Sequence, residues 1–188
     1  MSKVLITGAN GYLGRHVVEA VLQKGHQVLA SDFNLEGIDS RVIRVKTPIF
    51  SDSIDLYEEL GSPDIILHLA WRNGFKHNAE SHIIDLPNHY KFIKKMIDAG
   101  VKQIAVMGTM HEIGYWEGEI SEKTPTHPSS LYGISKDALR NLTFVLASES
   151  GTIVQWLRAY YIVGDDTRGS SIFAKLVQAE KEGKKKFP

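Results

Sequence analysis

The chain has 188 residues, 43% of them hydrophobic, and its 22 lysines and arginines balance 22 aspartates and glutamates. This length and composition predict one domain with a substantial core, and the zero net charge argues against nucleic acid as a partner. There is no cysteine, which excludes disulfides and thiolate chemistry. Residues 1–3 lead straight into an apolar run, and no run reaches membrane-spanning length. We therefore predict a soluble, cytoplasmic protein that binds no membrane.

Strands and helices alternate along the sequence, as short apolar runs and apolar residues at helical spacing indicate. In chain order, we predict a strand at 4–7, a helix at 12–24, strands at 27–31 and 42–45, a helix at 55–60 and a strand at 64–69. A helix then fills the region up to Ala99, and Pro87 either starts or kinks it. We predict a strand at 103–107, a loop at 108–130, a helix at 131–149, a strand at 152–157 and a helix at 172–182. This alternation predicts an α/β fold with a doubly wound parallel sheet of the Rossmann type.

The first predicted strand runs into a glycine-rich turn that opens a helix. Gly8, Gly11 and Gly14 follow a G-x-x-G-x-x-G spacing, which differs from the commonest dinucleotide fingerprint, G-x-G-x-x-G. Glycines there let the backbone approach a pyrophosphate, and the amides of a helix N-terminus bind it. Asp32 ends the second predicted strand, where a carboxylate binds ribose hydroxyls and repels a 2′-phosphate. The sequence therefore predicts a dinucleotide site that prefers NAD to NADP.

A tyrosine and a lysine lie one helical turn apart further along the chain. Tyr132 and Lys136 share a face of the predicted helix, and Thr109 follows the strand before it. An ammonium group beside a phenol stabilises the phenolate, so we expect the pKa of Tyr132 to be lowered from about 10. Such a phenol exchanges a proton with a substrate oxygen while a hydride moves to or from a nicotinamide. With the dinucleotide site, this pair indicates hydride transfer on an alcohol or ketone.

Together these residues resemble an extended short-chain dehydrogenase/reductase of the NAD-dependent sugar epimerase/dehydratase family. The resemblance covers essentially the whole chain and is carried by the glycine turn, Asp32, 68–70, 100–102, Thr109, 132–136 and 157–158. It implies that Tyr132 is the acid/base, that Lys136 binds the nicotinamide ribose, and that Thr109 hydrogen-bonds the reacting oxygen. The cofactor-binding residues that we expect are Gly8, Gly11, Tyr12, Leu13, Gly14, Asp32, Phe33, Asn34, Leu69, Ala70, Trp71, Tyr132, Lys136 and Tyr160.

The chain departs from the family pattern at several positions. Dehydratases of the family follow the catalytic threonine with an Asp-Glu pair, whereas this chain has Met110 and His111, which disfavours dehydration. Some sugar-nucleotide epimerase-reductases place a second acid/base two residues beyond the catalytic serine or threonine, and His111 occupies that position. The alternative for His111 is a loop histidine exposed to water. Trp71 is bulkier than the residue usual after Leu-Ala, and the other histidines lack clear zinc-ligand spacing, so no metal is expected.

Members of this family continue past the position of Pro188 into a small domain that grips the substrate. We expect residues 1–188 to be an NAD-binding domain in which 165–188 begin the substrate-domain region, and the chain to be a fragment of a longer protein. The expected function is an NAD-dependent epimerase or oxidoreductase of a nucleotide-diphosphate sugar. Two alternatives stay open: a non-catalytic dinucleotide-binding sensor or scaffold, and a reductase of a non-nucleotide ketone. The resemblance also implies a homodimer.

Overall fold

A computed structural model describes residues 1–162 and 172–184 of the chain. The chain divides into two units, Met1–Arg158 and Ala159–Pro188. Its elements are, in order, β1 (Lys3–Thr7), α1 (Tyr12–Gln23), β2 (Gln27–Ser31), β3 (Ile43–Arg44), α2 (Leu56–Glu59), β4 (Ile65–His68), α3 (Ser81–Asp98), β5 (Gln103–Thr109), α4 (Leu131–Ala147), β6 (Ile153–Ala159) and α5 (Ile172–Lys181). The predicted start of the substrate-domain region, at residue 165, lies outside the described residues.

The sheet has six strands in the order β3-β2-β1-β4-β5-β6, and the pairs from β3 to β5 are parallel. Thr7 of β1 lies level with Ser31 of β2 on one side and His68 of β4 on the other. The chain reverses its direction of winding between β1 and β4, and ligands of such sheets bind beyond the carboxyl ends of the strands at this point. The predicted α/β, Rossmann-like fold is confirmed.

Helices cover both faces of the sheet. Successive strand residues point to opposite sides, so each strand contributes apolar side chains to a core on either face. Val4 and Ile6 of β1 face the core beneath α1, where they join Val18. Leu5 faces the other core, which it shares with Phe92 of α3 and residues of α4. The strands therefore read as continuous apolar runs, as expected for a parallel sheet buried on both faces.

The structure refines several predicted boundaries. Pro87 lies inside α3, which begins at Ser81, so the proline does not start that helix. β5 continues through Thr109, two residues further than predicted, and a short 3-10 turn, Met110–Glu112, occupies the start of the predicted loop. Within the two described stretches, every helix is too short or too polar to cross a membrane.

Candidate active site

The glycine turn is built by close approach of backbone to backbone. Gly8 has a φ of +68°, which favours glycine, and a Cβ there would lie 2.9 Å from the backbone nitrogen of Ala70. A Cβ at Gly14 would lie 2.8 Å from the carbonyl carbon and oxygen of Ala9. Gly11 is the N-cap of α1 and has no capping side chain. The first amides of α1, including those of Tyr12 and Leu13, have no acceptor within the helix and suit an anion.

Asp32 is tied to this turn at the end of β2. One carboxylate oxygen accepts from the Asn10 amide at 2.8 Å, and the other accepts from the Phe33 amide at 2.7 Å. The Asn10 side chain donates to the Asn34 carbonyl at 2.8 Å, so the segment after β2 is held against the glycine turn. The Phe33 side chain is almost fully exposed. The structure brings Asp32 to the predicted place, while its contact with a ribose stays a prediction.

A buried chain of polar groups positions the end of β4. The Ala70 amide donates to the Thr7 hydroxyl oxygen at 3.2 Å, and that oxygen lies 2.8 Å from Nδ1 of His68. Nε2 of His68 lies 2.8 Å from Nδ1 of His89 on α3. Burial lowers the pKa of His68 to about 3 and also lowers the pKa of His89, so both rings are neutral. Leu69 and Ala70 are thereby fixed beside the glycine turn.

Trp71 lies between this histidine pair and the candidate catalytic residues Tyr132 and Lys136. Its ring stacks on His89, with centroids 4.2 Å apart and planes at 16°. Its indole nitrogen donates to Nδ1 of His82 at 3.0 Å, so Nε2 of His82 carries the proton that is donated to the Lys76 carbonyl at 2.9 Å. Trp71, predicted to bind the cofactor, is therefore held through its ring face and through its indole nitrogen.

Lys136 is almost completely buried against this tryptophan. Its ammonium donates to the Met107 carbonyl at 2.6 Å and lies 4.0 Å from the centroid of the Trp71 ring, a cation–π contact. Burial lowers the pKa of Lys136 to about 7, although the nearby Glu112 carboxylate acts in the opposite direction. The charge of Lys136 therefore changes near neutral pH, where contact with a ligand has most influence on that charge.

The structure corrects the expected ionisation of Tyr132. Burial raises its pKa, and the hydrogen bond with the Thr109 hydroxyl only partly offsets this effect. The ammonium of Lys136 bonds the Met107 carbonyl and lies over the Trp71 ring, so it does not produce the lowering that the helical spacing led us to expect. Thr109 acts on Tyr132 from nearby, while its predicted hydrogen bond to the reacting oxygen stays a prediction.

Besides His82, the rings of His77 and His111 pack around the tyrosine. The ring of His77 stacks against that of Tyr132 with centroids 5.9 Å apart, and its carbonyl accepts from the Tyr132 amide at 2.8 Å. The ring of His111 lies 4.1 Å from that of His77 and 5.8 Å from that of Tyr132, between centroids. Burial and then His77 lower the pKa of His111. His111 thus adjoins the acid/base candidate rather than standing alone in water.

Two predictions about the site remain, the role of Tyr160 in cofactor binding and the absence of a metal. Tyr160 belongs to the second unit, so its place in a cofactor site stays a prediction. Among residues 1–162 and 172–184, no three histidine, aspartate or glutamate side chains are arranged to hold a metal ion. The sequence missed His77 and the buried Glu112, because neither belongs to a motif and both acquire neighbours only when distant segments pack together.

The fold and the glycine turn define the class: a dinucleotide-binding protein with a Rossmann-like sheet. The profile of the NAD dependent epimerase/dehydratase family matches residues 4–188, and the chain belongs to that family. A dTDP-6-deoxy-L-talose 4-dehydrogenase (NAD(+)) from Aggregatibacter actinomycetemcomitans is 42% identical over 191 residues, which cover 98% of this chain and 70% of that relative. The expected cofactor, NAD, is named both by the family and by this relative.

Two solved structures share the fold. The crystal structure of a UDP-glucose 4-epimerase with UDP-glucose from Thermotoga maritima has a TM-score of 0.81 at 22% identity, and the match covers 96% of this chain and 63% of that one. MoeE5 in complex with UDP-glucuronic acid and NAD also has a TM-score of 0.81, at 23% identity, covering 94% of this chain and 60% of that one. The chain thus spans roughly 60% of the length of these solved relatives.

Proposed function

We propose that the chain is the cofactor-binding and catalytic part of an NAD-dependent oxidoreductase of a nucleotide-diphosphate sugar, specifically a 4-dehydrogenase of a dTDP-linked 6-deoxy sugar. The observation that carries this proposal is that Tyr132 and Lys136 both pack against Trp71, which follows the Leu69–Ala70 segment at the glycine turn, and that Thr109 lies near Tyr132. The substrate class follows the talose dehydrogenase, which is 42% identical over almost the whole of this chain. A sensor or scaffold would have no use for this set of three residues.

The residues that would hold NAD are supplied by the ends of three strands. The amides of Tyr12 and Leu13, at the N-terminus of α1, would bind the pyrophosphate. The Asp32 carboxylate would accept from the adenosine ribose and repel a 2′-phosphate. Leu69 and Ala70, fixed by the Thr7–His68 hydrogen bond, would line the channel. When bound, NAD supplies the acceptor for a hydride.

The chemical step assigns one role to each of three side chains. In the oxidation direction Tyr132, as phenolate, would take the proton of the substrate hydroxyl, and bound NAD would supply the acceptor for the hydride of the same carbon, so that the alcohol becomes a ketone. Thr109 hydrogen-bonds the reacting oxygen and, through its bond to Tyr132, also favours the phenolate. Lys136, when protonated, would supply donors for the nicotinamide ribose. The reverse reaction uses the same groups.

His111 fits a second acid/base better than an exposed loop residue. Its ring lies against those of Tyr132 and His77, and its pKa is lowered, so it is neutral at physiological pH and able to accept a proton. A substrate held at Tyr132 would place a neighbouring carbon within reach of this ring.

A product assay with the full-length protein tests the proposal and separates it from epimerisation. A dehydrogenase incubated with NAD and dTDP-6-deoxy-L-talose forms one NADH and one 4-keto sugar per turnover. An epimerase returns the hydride and forms no net NADH, whereas a non-catalytic module consumes no substrate at all. UDP-glucose serves as the comparison substrate, and faster turnover of UDP-glucose would contradict the proposed substrate class. A reductase of a non-nucleotide ketone would gain no thermal stability from dTDP alone.

We also propose a homodimer formed through α3 and α4. These helices pack side by side, and both leave apolar side chains exposed: Ile83 and Ile84 on α3, and Ile134, Leu142 and Val145 on α4. Exposed apolar patches on adjacent helices are typical of protein–protein contacts. A solution mass twice that of one chain, reduced by Val145→Glu, would support this assembly, and a monomeric parent protein would refute it.

A further inference from the structure

A buried carboxylate lies behind the catalytic threonine. Glu112 is the last residue of the 3-10 turn after β5, and its side chain is 0% exposed. Burying a charged carboxylate is costly unless several donors satisfy it. Here one oxygen accepts from the Thr109 amide at 2.8 Å, the Trp156 indole donates to both oxygens at 2.9 and 3.0 Å, and Arg158 donates to the other at 3.0 Å. Every donor is aimed at a charged acceptor.

The surrounding sequence is adapted to this carboxylate. A Cβ at Gly108 would lie 2.6 Å from a Glu112 carboxylate oxygen and closer still to the Trp156 indole nitrogen, so only glycine fits before Thr109. Arg158 compensates the negative charge directly, and Arg140 of α4 approaches to 4.0 Å. Glu112 is therefore held at a fixed position by two donors on other elements, Trp156 and Arg158.

Glu112 also fixes the backbone of Thr109. The Glu112 carboxylate accepts from the Thr109 amide, while the Thr109 hydroxyl oxygen accepts from the His111 amide at 3.3 Å. This reciprocal pair is a capping box, which sets the direction in which the chain leaves β5. Because the same hydroxyl lies near Tyr132 and favours its phenolate, the position of Thr109 influences the acid/base candidate.

The charge of Glu112 reaches both catalytic groups. It raises the pKa of Tyr132, in the same direction as burial, and raises the pKa of Lys136 against the effect of burial. The other titratable and charged groups that face this cluster are Arg140 and Asp137 of α4, Arg158 of β6, His111 of the 3-10 turn, His77 of the segment before α3, His68 of β4, and His82 and His89 of α3. Glu112 is the carboxylate that acts on both Tyr132 and Lys136.

We propose that Glu112 is a positioning residue of the catalytic site, which aligns Thr109 through its backbone and places a negative charge near Lys136. The inference rests on the proposed function, in which Thr109, Tyr132 and Lys136 act on the substrate. Glu112 itself does not touch the substrate. Its two effects separate experimentally, because one depends on the length of the side chain and the other on its charge.

The charge effect is tested by the titration of Lys136, followed by NMR of the lysine side-chain carbon next to the ammonium and assigned with Lys136→Met. Glu112→Gln keeps the shape and removes the charge, so the midpoint of the Lys136 titration should fall. Trp156→Phe is the matched control, since it removes one donor to Glu112 but leaves the charge, and the midpoint should hold. An unchanged midpoint in Glu112→Gln overturns the proposal.

The positioning effect is tested with Glu112→Asp, which keeps the charge but withdraws the carboxylate by one methylene. Hydrogen exchange of the Thr109 amide should accelerate at least tenfold while the Lys136 midpoint holds, and kcat should fall at least tenfold with little change in KM. Unaltered protection of the Thr109 amide in Glu112→Asp overturns the proposal. If Glu112→Gln does not fold, the Glu112→Asp variant alone decides it. Absence of turnover in the parent protein would refute the proposed function, whereas the titration and exchange results would still decide the role of Glu112.

Discussion

Replacing Gly14 by alanine should break the turn between β1 and α1. The added Cβ would lie 2.8 Å from the Ala9 carbonyl group and closer still to the Gly8 oxygen, whereas carbon atoms pack at about 3.5–4.0 Å. Both neighbours are backbone, so the whole turn must open. Overpacking of this kind costs about 1–3 kcal/mol or more, and better helix propensity returns about 1 kcal/mol. The expected net loss in the free energy of unfolding is about 2 kcal/mol.

Urea unfolding followed by circular dichroism measures this loss. With a slope of about 2 kcal/mol per molar, the midpoint of Gly14→Ala should fall by about 1 M. The matched control is Gly11→Ala, whose Cβ would lie 3.2 Å from the Gly8 oxygen, a contact that a small shift relieves. That control should lose less than about 1 kcal/mol of stability but bind NADH at least tenfold more weakly, because it crowds the helix N-terminus. Equal midpoints for Gly14→Ala and the parent would refute this reasoning.

Two further predictions concern charge. Asp32→Asn keeps an acceptor for the Asn10 amide but removes the negative charge. In fluorescence titrations, the affinity for NADPH should therefore improve at least tenfold relative to that for NADH. An unchanged ratio of the two affinities would disprove the role of Asp32. Lys136 has a pKa of about 7 when folded and about 10.4 when unfolded, so the unfolded chain binds more protons between these values and stability should rise with pH across that window. Lys136→Met should abolish this part of the rise, which amounts to at most about 1.4 kcal/mol per pH unit, and urea unfolding at pH 7 and 9 checks it.

The sequence predicted the elements that depend on local pattern. The apolar runs of β1, β2 and β4 and the glycine turn were readable because buried strands and close backbone approaches restrict residue type directly. β3 was harder to delimit, since two exposed residues, Ile43 and Arg44, form all of it. The position of Pro87 within α3 could not be decided, because helix packing and not propensity keeps that turn helical.

Within the site, the sequence predicted which residues meet but not how they are charged. Helical spacing placed Tyr132 and Lys136 on one face, yet the pKa of Tyr132 is raised because burial penalises the phenolate. Lys136 contacts Trp71, and Trp156 donates to the buried Glu112. Both contacts join residues more than 40 positions apart in the sequence, so no local motif predicts them. Desolvation depends on the complete tertiary structure.

The central claim is that Tyr132 is the acid/base for hydride transfer at a bound NAD, and Tyr132→Phe tests it most directly. This variant keeps the ring that packs against Trp71, His77 and His111 and removes only the hydroxyl. The measurement is kcat for oxidation of dTDP-6-deoxy-L-talose together with the Kd for NADH, both with the full-length protein. We predict that kcat falls at least 100-fold while the Kd changes less than about threefold. Undiminished turnover in Tyr132→Phe would contradict the account.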